Sequence, residues 1–401
     1  MTRDARLLFL ARAVRMFGYG ALGVILVLYL AAAGLDAGSI GVLLTLTLVG
    51  DTLISLYLTT HADSFGRRRT LIVGALLLAA AGVVFAWNTA FVVLLVTATL
   101  GVLSPSGSEV GPFLPIEQAS LTEVTPADRR TNVYAWYNLT GSIATATGAL
   151  VAGVVVGVLR AAGWNELDAY RAILGGYAVV GLALIPIVRS VSAAVEVPPV
   201  DTSIARRLGL HRSQGIVLRL SALFALDAFG GGLIVQSLLA YWFHTRFGLP
   251  EPVLGAIFFG ANILAAVSAL AAARIAARIG LINTMVFTHL PSNVLLMLVP
   301  LMPTVELAIL VLLARFSISQ MDVPTRQSYT MAVVEPDERS AAAGVTGIAR
   351  TTGAALSPLI AAPLFASAAF ASWPFFLAGG VKIVYDVALW RAFRNRQPPA
   401  P

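Results

Sequence analysis

The chain of 401 residues contains no cysteine, which rules out disulfides, thiolate nucleophiles and cysteine metal sites. Lysine is almost as scarce: Lys382 stands alone against twenty-six arginines. Charged residues make up 12% of the chain, where a soluble domain carries roughly 25%. The four histidines, His61, His211, His244 and His289, show no metal-ligand spacing. No phosphate-binding glycine loop of the Walker type and no nucleophile motif occurs, so neither ATP-driven transport nor catalysis finds support. The sequence therefore predicts no catalytic residue, no cofactor and no metal.

What fills the chain is apolar: hydrophobic residues account for 58%. Stretches of about twenty apolar residues recur from end to end, each long enough to cross the hydrocarbon core as a helix. With no water to satisfy the backbone in lipid, such runs must be helices. The expected spans are 7–32, 38–60, 70–87, 91–120, 131–159 and 171–189, then 215–243, 252–278, 283–302, 305–330, 339–366 and 371–393. The first, from Leu7 to Ala32, lacks a small-residue cleavage site and reads as a retained helix.

The net charge of +7 follows topology. Arginines gather in alternate loops: Arg67 to Arg69; Arg129 and Arg130; Arg189, Arg206, Arg207 and Arg212; Arg274 and Arg278; Arg391, Arg394 and Arg396. The loops between hold only Arg160, Arg171 and Arg246. This is the positive-inside bias, and it predicts cytoplasmic termini. It argues against a nucleic-acid partner; the expected surroundings are a lipid bilayer, and compact short loops suit a prokaryotic inner membrane.

The two halves repeat. Arg15-Met-Phe-Gly18-Tyr-Gly20 matches Asp227-Ala-Phe-Gly230-Gly-Gly232, with Tyr29 matching Tyr241, at an offset of 212. Pro115-Ile-Glu117-Gln118 matches Pro324-Thr-Arg326-Gln327 at 209, and Pro126-Ala-Asp128-Arg129 matches Pro336-Asp-Glu338-Arg339 at 210. The expected fold is an all-α membrane protein of 12 transmembrane helices in two pseudo-symmetric six-helix bundles, 1–189 and 215–394. A cytoplasmic linker, 190–214, joins them, and a short tail, 395–401, follows. Duplicated carriers of this kind hold substrate near the midplane between repeats.

Between the second and third spans the chain reads Thr59-Thr-His-Ala-Asp63-Ser-Phe-Gly66-Arg67-Arg68-Arg69. This resembles the G-x-x-x-D-x-x-G-R-R loop of the major facilitator superfamily, with Thr59 in place of the first glycine. The resemblance implies a carrier working by alternating access, in which Asp63, Gly66, Arg67, Arg68 and Arg69 lock the cytoplasmic side. An aspartate can meet guanidiniums or the positive end of a helix, and Gly66 permits a tight turn. Topology anchoring alone would also account for the arginines. In the second half Ala277-Arg278-Ile-Gly280 keeps the glycine and lacks the aspartate.

Ionisable residues inside spans are costly and point to function. Arg15 lies eight residues into the first span, ~12 Å deep at 1.5 Å per residue, and its repeat mate Asp227 could face it across a central cavity. Snorkelling is the alternative for Arg15. The fourth span carries Pro105, Gly107, Gly111, Pro112 and Pro115 around Glu109 and Glu117, which should kink or break it. Its mate, the tenth span, holds Arg315, Asp322, Pro324 and Arg326. Broken helices expose backbone groups that carriers use for ligands. Glu117 and Arg326 could instead pair at the cytoplasmic interface. Asp51 and Arg350 complete the pathway candidates, Asp51 as a protonation site. Lys382 and Asp386, four residues apart, read as a local ion pair.

The expected function is secondary active transport of a small polar or anionic molecule by a monomer, coupled to protons. Glu109, Asp227 and Asp322 are the coupling or binding acids, and Arg15, Arg315 and Arg350 contact substrate or counter those acids. Gly148-Ala-Leu-Val-Ala-Gly153 half-matches a helix 5 signature of drug–proton antiporters, which leans towards export, although small residues there also serve helix packing. A multidrug antiporter for lipophilic compounds is the alternative. A non-transporting sensor is a third, weakened by a linker and tail with no room for a signalling domain.

Overall fold

The computed structural model describes residues 2–126, 129–196, 212–335 and 338–394, without the side chains of Asp63, Thr131, Asn132 and Ser340. The expected tail, 395–401, and most of the expected linker, 197–211, lie outside the described residues. The elements are helical throughout. The first six expected spans form α1 (Arg3–Ala32), α2 (Ala37–Phe65), α3 (Arg67–Trp87), α4 (Phe91–Leu100) with α5 (Phe113–Glu123), α6 (Arg130–Ala161) and α7 (Glu166–Arg189). The second six form α8 (Gln214–Gly232) with α9 (Gln236–Phe247), α10 (Glu251–Ile279), α11 (Leu281–Leu298), α12 (Val305–Phe316) with α13 (Asp322–Ala332), α14 (Arg339–Leu356) with α15 (Pro358–Ala366), and α16 (Trp373–Phe393).

By length and composition, nine helical stretches among the described residues can cross a membrane. The fourth, tenth and twelfth expected spans fall outside that set. The fourth and tenth are each cut in two, and α16 carries Lys382 and Asp386, which lower its hydropathy. Helix starts follow local chemistry. Thr2, Asp36, Asn165 and Thr304 each accept a backbone N–H from the first turn that they precede. At Asp36 the Ser39 hydroxyl and backbone N–H hold the carboxyl below its ordinary value.

The two interruptions share one cause. Pro115 and Pro324 are the third residues of α5 and α13, positions where proline is tolerated. Their rings exclude a continuous helix through the residues four before, Gly111 and Gln320. The fourth span therefore unwinds over 101–112, a longer interruption than a kink, and the tenth over 317–321.

The chain divides into two compact units, residues 1–202 with 235–259, and 203–234 with 260–401. This partition differs from the sequence repeat by 235–259, which packs with the first unit. There the Ser237 N–H donates to the Pro105 carbonyl, and Gly153 backs onto the Glu251 carbonyl. In the first unit α1 packs on α6 and α7, and α3 on α7; in the second, α8 packs on α14 and α16, and α11 on α16. The repeat extends to close backbone approaches. A Cβ at Gly20 would run into the Thr145 carbonyl of α6, and one at Gly232 into the Ala354 carbonyl of α14.

Candidate substrate and coupling site

Each unit holds one buried charge network, built around its broken helix. In the first, Arg12 and Arg15 sit three residues apart on α1, on one face. Arg15 is fully buried and its guanidinium grips Glu117 of α5 with both arms, Nη1 to Oε1 at 2.6 Å and Nη2 to Oε2 at 2.9 Å. The same group reaches Glu109, in the unwound segment, with Nε to Oε1 at 3.0 Å. Arg12 Nη1 donates to Glu109 Oε2 at 2.8 Å, and its guanidinium lies 4.2 Å from the Tyr137 ring centroid. The Tyr137 hydroxyl donates to Glu117. Two arginines and two glutamates thus close on one another, and Arg15 does not snorkel.

The unwound segment 101–112 is satisfied largely by side chains, as a buried backbone must be. Tyr177 donates to the Val102 carbonyl at 2.8 Å, Tyr19 to that of Val110 at 3.0 Å, and the Ser104 hydroxyl to that of Ser108 at 2.6 Å. Asp51 of α2 accepts the Gly111 N–H at 2.6 Å. It has no basic partner among the described residues, which sets it apart from Glu109 and Glu117.

In the second unit, Asp227 of α8 is the hub. Its Oδ2 accepts from Arg326 Nη1 of α13 at 3.0 Å, and its Oδ1 from Lys382 Nζ of α16 at 2.6 Å. Arg326 Nη1 also donates to Asp322 Oδ2 at 2.9 Å, one turn away on α13. His289 and Asn293, one turn apart on α11, hold Asp386 of α16: His289 Nδ1 lies 2.9 Å from Oδ1, and Asn293 Nδ2 donates to Oδ2 at 2.9 Å. His289 Nε2 lies 3.8 Å from Asp227 Oδ1, which links the two clusters. Asp227, Asp322, Arg326, Lys382, Asp386, His289 and Asn293 are all buried.

The partners of Arg15 and of Asp227 described above lie within one unit each, because the repeat supplies Arg15 with Glu117 and Asp227 with Arg326. Two sequence expectations change. Glu117 and Arg326 are buried in these networks and are not interface charges at a helix end. Lys382 pairs with Asp227 and not with its neighbour Asp386, whose oxygens are taken up by α11. Sequence reasoning does not single out His289, Asn293 or Arg12; the signals that could find them are the spacings Arg12/Arg15 and His289/Asn293, one turn apart on one face. Arg315 and Arg350 stand beside the second network without an ion pair or hydrogen bond among the described residues.

At the arginine-rich end, Gly66 adopts φ +102°, a conformation that favours glycine, and Gly280 repeats it at φ +84°. The side chain of Asp63 lies outside the described residues. The carboxylate that meets the positive end of α3 is Glu196: it accepts the backbone N–H of Arg67 at 2.7 Å and of Arg68 at 3.1 Å. Arg67 Nη1 donates to the Val195 carbonyl at 3.1 Å and lies 3.8 Å from Glu123, and Arg68 Nη2 donates to the Arg189 carbonyl at 2.8 Å. Arg69 is exposed. At the other end of the linker, Glu338 accepts the N–H groups of Arg212 and Ser213 at 2.7 and 2.8 Å. Gly148 and Gly153 of the helix 5 segment both face backbone carbonyls, of Phe17 and Glu251, which is a packing role. Among the aromatic residues, Tyr19 and Tyr137 are buried by the first network, whereas Trp136 is exposed.

Relatives agree with this architecture. An uncharacterized membrane protein of Saccharomyces cerevisiae, YJR124C, is 28% identical over 419 residues, covering 97% of this chain and 93% of the yeast protein. The fold is similar to that of the nucleoside transporter NupG, with a TM-score of 0.77 at 13% identity, covering 98% of this chain and all of that one. It is also similar to a bacterial homolog of the human lysosomal transporter Spinster, with a TM-score of 0.74 at 14% identity over 99% of this chain and 98% of that one. Residues 8–358 match the family description of the Major Facilitator Superfamily, and the chain belongs to that family of membrane transporters.

Proposed function

We propose that the protein is a monomeric secondary transporter that moves a small polar or anionic molecule by alternating access, coupled to protons. The observation that carries this reading is the pair of buried charge networks, one in each unit, each built on a broken helix. Charges at this depth are costly, and carriers retain them where ligand and coupling ion bind. Within each unit the broken helix offers binding surface together with its first helix, α1 in the first unit and α8 in the second. Asp51 supplies a carboxylate with no basic partner, the kind of group whose charge a proton can balance. Glu109, Asp227 and Asp322 are held by cations, and a change of partner at any of them is a route for coupling.

At the arginine-rich end, taken as cytoplasmic, Glu196, Arg67 and Arg68 join the start of the linker to α3. This contact, together with Asp63, Gly66 and Arg69, forms the cytoplasmic lock in our reading. A prokaryotic inner membrane and an outward direction of transport are the placements we favour.

The test is thermal stability of the detergent-purified protein against a small-molecule library at two pH values. A ligand that binds the folded state raises stability by mass action. One dominant class of polar or anionic compound, with a shift that depends on pH, is the expected result. Weak shifts from many unrelated lipophilic cations would replace this reading by the multidrug antiporter.

A further inference from the structure

The two networks differ in what they leave over. In the first unit, Arg12 and Arg15 pair with Glu109 and Glu117, and each of the two guanidiniums has a carboxylate. In the second, the four basic residues Arg315, Arg326, Arg350 and Lys382 outnumber the carboxylates Asp227, Asp322 and Asp386 by one. The surplus is not shared out. Arg326 and Lys382 take Asp227 and Asp322, while Asp386 is held by His289 and Asn293.

Arg315, in the last turn of α12, is 8% exposed, and its Nε is buried with no acceptor among the described residues. Its closest ring is that of its neighbour Phe316, 4.9 Å from the guanidinium. Arg350 of α14 likewise buries an Nε with no acceptor. Both guanidiniums lie within electrostatic reach of Asp227, whose two oxygens are bonded to Arg326 and Lys382, and of Asp322, whose Oδ2 is taken by Arg326; Arg350 is also within reach of Arg326, a like charge. Ser319, in the interruption just after α12, adds a buried hydroxyl with no partner.

A buried guanidinium without a carboxylate is costly, and its planar fork of donors matches a carboxylate or phosphate. We infer that Arg315 and Arg350 form the receptor for the oxyanion, carboxylate or phosphate, of the transported molecule, with the Ser319 hydroxyl as a further donor. Arg15, which the sequence offered for the same task, is saturated by Glu109 and Glu117 and is excluded from it. The inference deepens the proposed transport activity by naming the substrate's charge and the residues that take it. It does not depend on proton coupling.

Footprinting of the purified protein with phenylglyoxal, read residue by residue by mass spectrometry, tests it. The probes are acetate, succinate and inorganic phosphate, with sodium chloride at matched ionic strength as the control. Arg315 and Arg350 should be modified while Arg15 and Arg326 are spared, and at least one probe should slow modification of both several-fold more than chloride does. Absence of modification at both, or equal protection by chloride, would overturn the assignment. Repeating the footprint in phosphatidylcholine vesicles with and without phosphatidylglycerol separates a free anion from a lipid headgroup. Protection by phosphatidylglycerol alone would also overturn the assignment.

Folding is controlled by thermal stability without ligand. Arg315→Gln and Arg350→Gln should unfold at or above the wild-type temperature, whereas Arg15→Gln should unfold well below it. If the first two fall as far as the third, these arginines have structural partners and the inference fails. Protection that persists where transport proves independent of pH would remove proton coupling and leave the receptor standing. Proton-coupled movement of uncharged compounds without any protection would do the reverse.

Discussion

The same pair of positions is used in both halves of the molecule with the charges exchanged. Arg15 on α1 grips Glu117 on α5, and their repeat mates are Asp227 on α8 and Arg326 on α13. A duplication that kept the geometry and reversed the sign shows that the contact between first and fourth helix of each repeat is what the fold requires. The sign is free to serve function. Around that shared pair the halves diverge: the first adds Glu109 and Arg12 and closes, and the second adds Lys382, the His289–Asp386 cluster and two arginines with no ion pair among the described residues.

The largest expected effect breaks that comparison at its centre. Arg15→Gln leaves the buried Glu117 without its guanidinium and Glu109 with Arg12 alone, and removing one partner of a buried pair costs about 3–5 kcal/mol. Lys382→Met should cost less, because Asp227 retains Arg326. Thermal or denaturant unfolding in detergent reads both, and equal losses would deny the closed first network its special character.

Next come the paired close approaches. Gly20→Ala and Gly232→Ala each drive a methyl into a backbone carbonyl, and overpacking of this sort costs about 1–3 kcal/mol. The repeat predicts similar losses at the two sites; a loss at one only would show that the α1–α6 and α8–α14 contacts are not equivalent.

A smaller effect separates the linker ends. Glu196→Gln weakens two charge-assisted hydrogen bonds at the start of α3 and should cost about 1 kcal/mol. Glu338→Gln, at a fully buried carboxylate, should cost more, and unfolding of the two variants side by side checks the order. Smallest of all, Arg69→Gln removes an exposed charge and should leave stability within about 0.5 kcal/mol of wild type. A larger loss would give Arg69 a structural partner.

The sequence made the number and placement of spans legible, because twenty-residue apolar runs and alternate arginine loops are strong, local signals. It made the broken helices legible through Pro115 and Pro324, though not their extent, since the twelve-residue interruption depends on Tyr19, Tyr177 and Asp51 from three other helices. The embedded charges could be enumerated from the sequence. Their partners could not, because Asp227 has several basic residues within the same unit to choose among, Arg315, Arg326, Arg350, Lys382 and His289 included. Proximity in sequence misled at Lys382 and Asp386, where tertiary contacts from α8 and α11 outweigh a local pair. Glu196 was hidden for a related reason: a linker glutamate is unremarkable until the turn at Gly66 brings the start of α3 to it.

Under the proposed function, the embedded acids couple transport to proton movement. The measurement that tests it most directly is lumenal pH in proteoliposomes when small carboxylates and phosphate esters are added outside. The wild-type protein is compared with Asp51→Asn, Glu109→Gln, Asp227→Asn and Asp322→Asn, each confirmed folded. The account predicts a pH change with at least one anion, abolished by at least one of the four variants. Full retention of coupled proton movement in all four would contradict it.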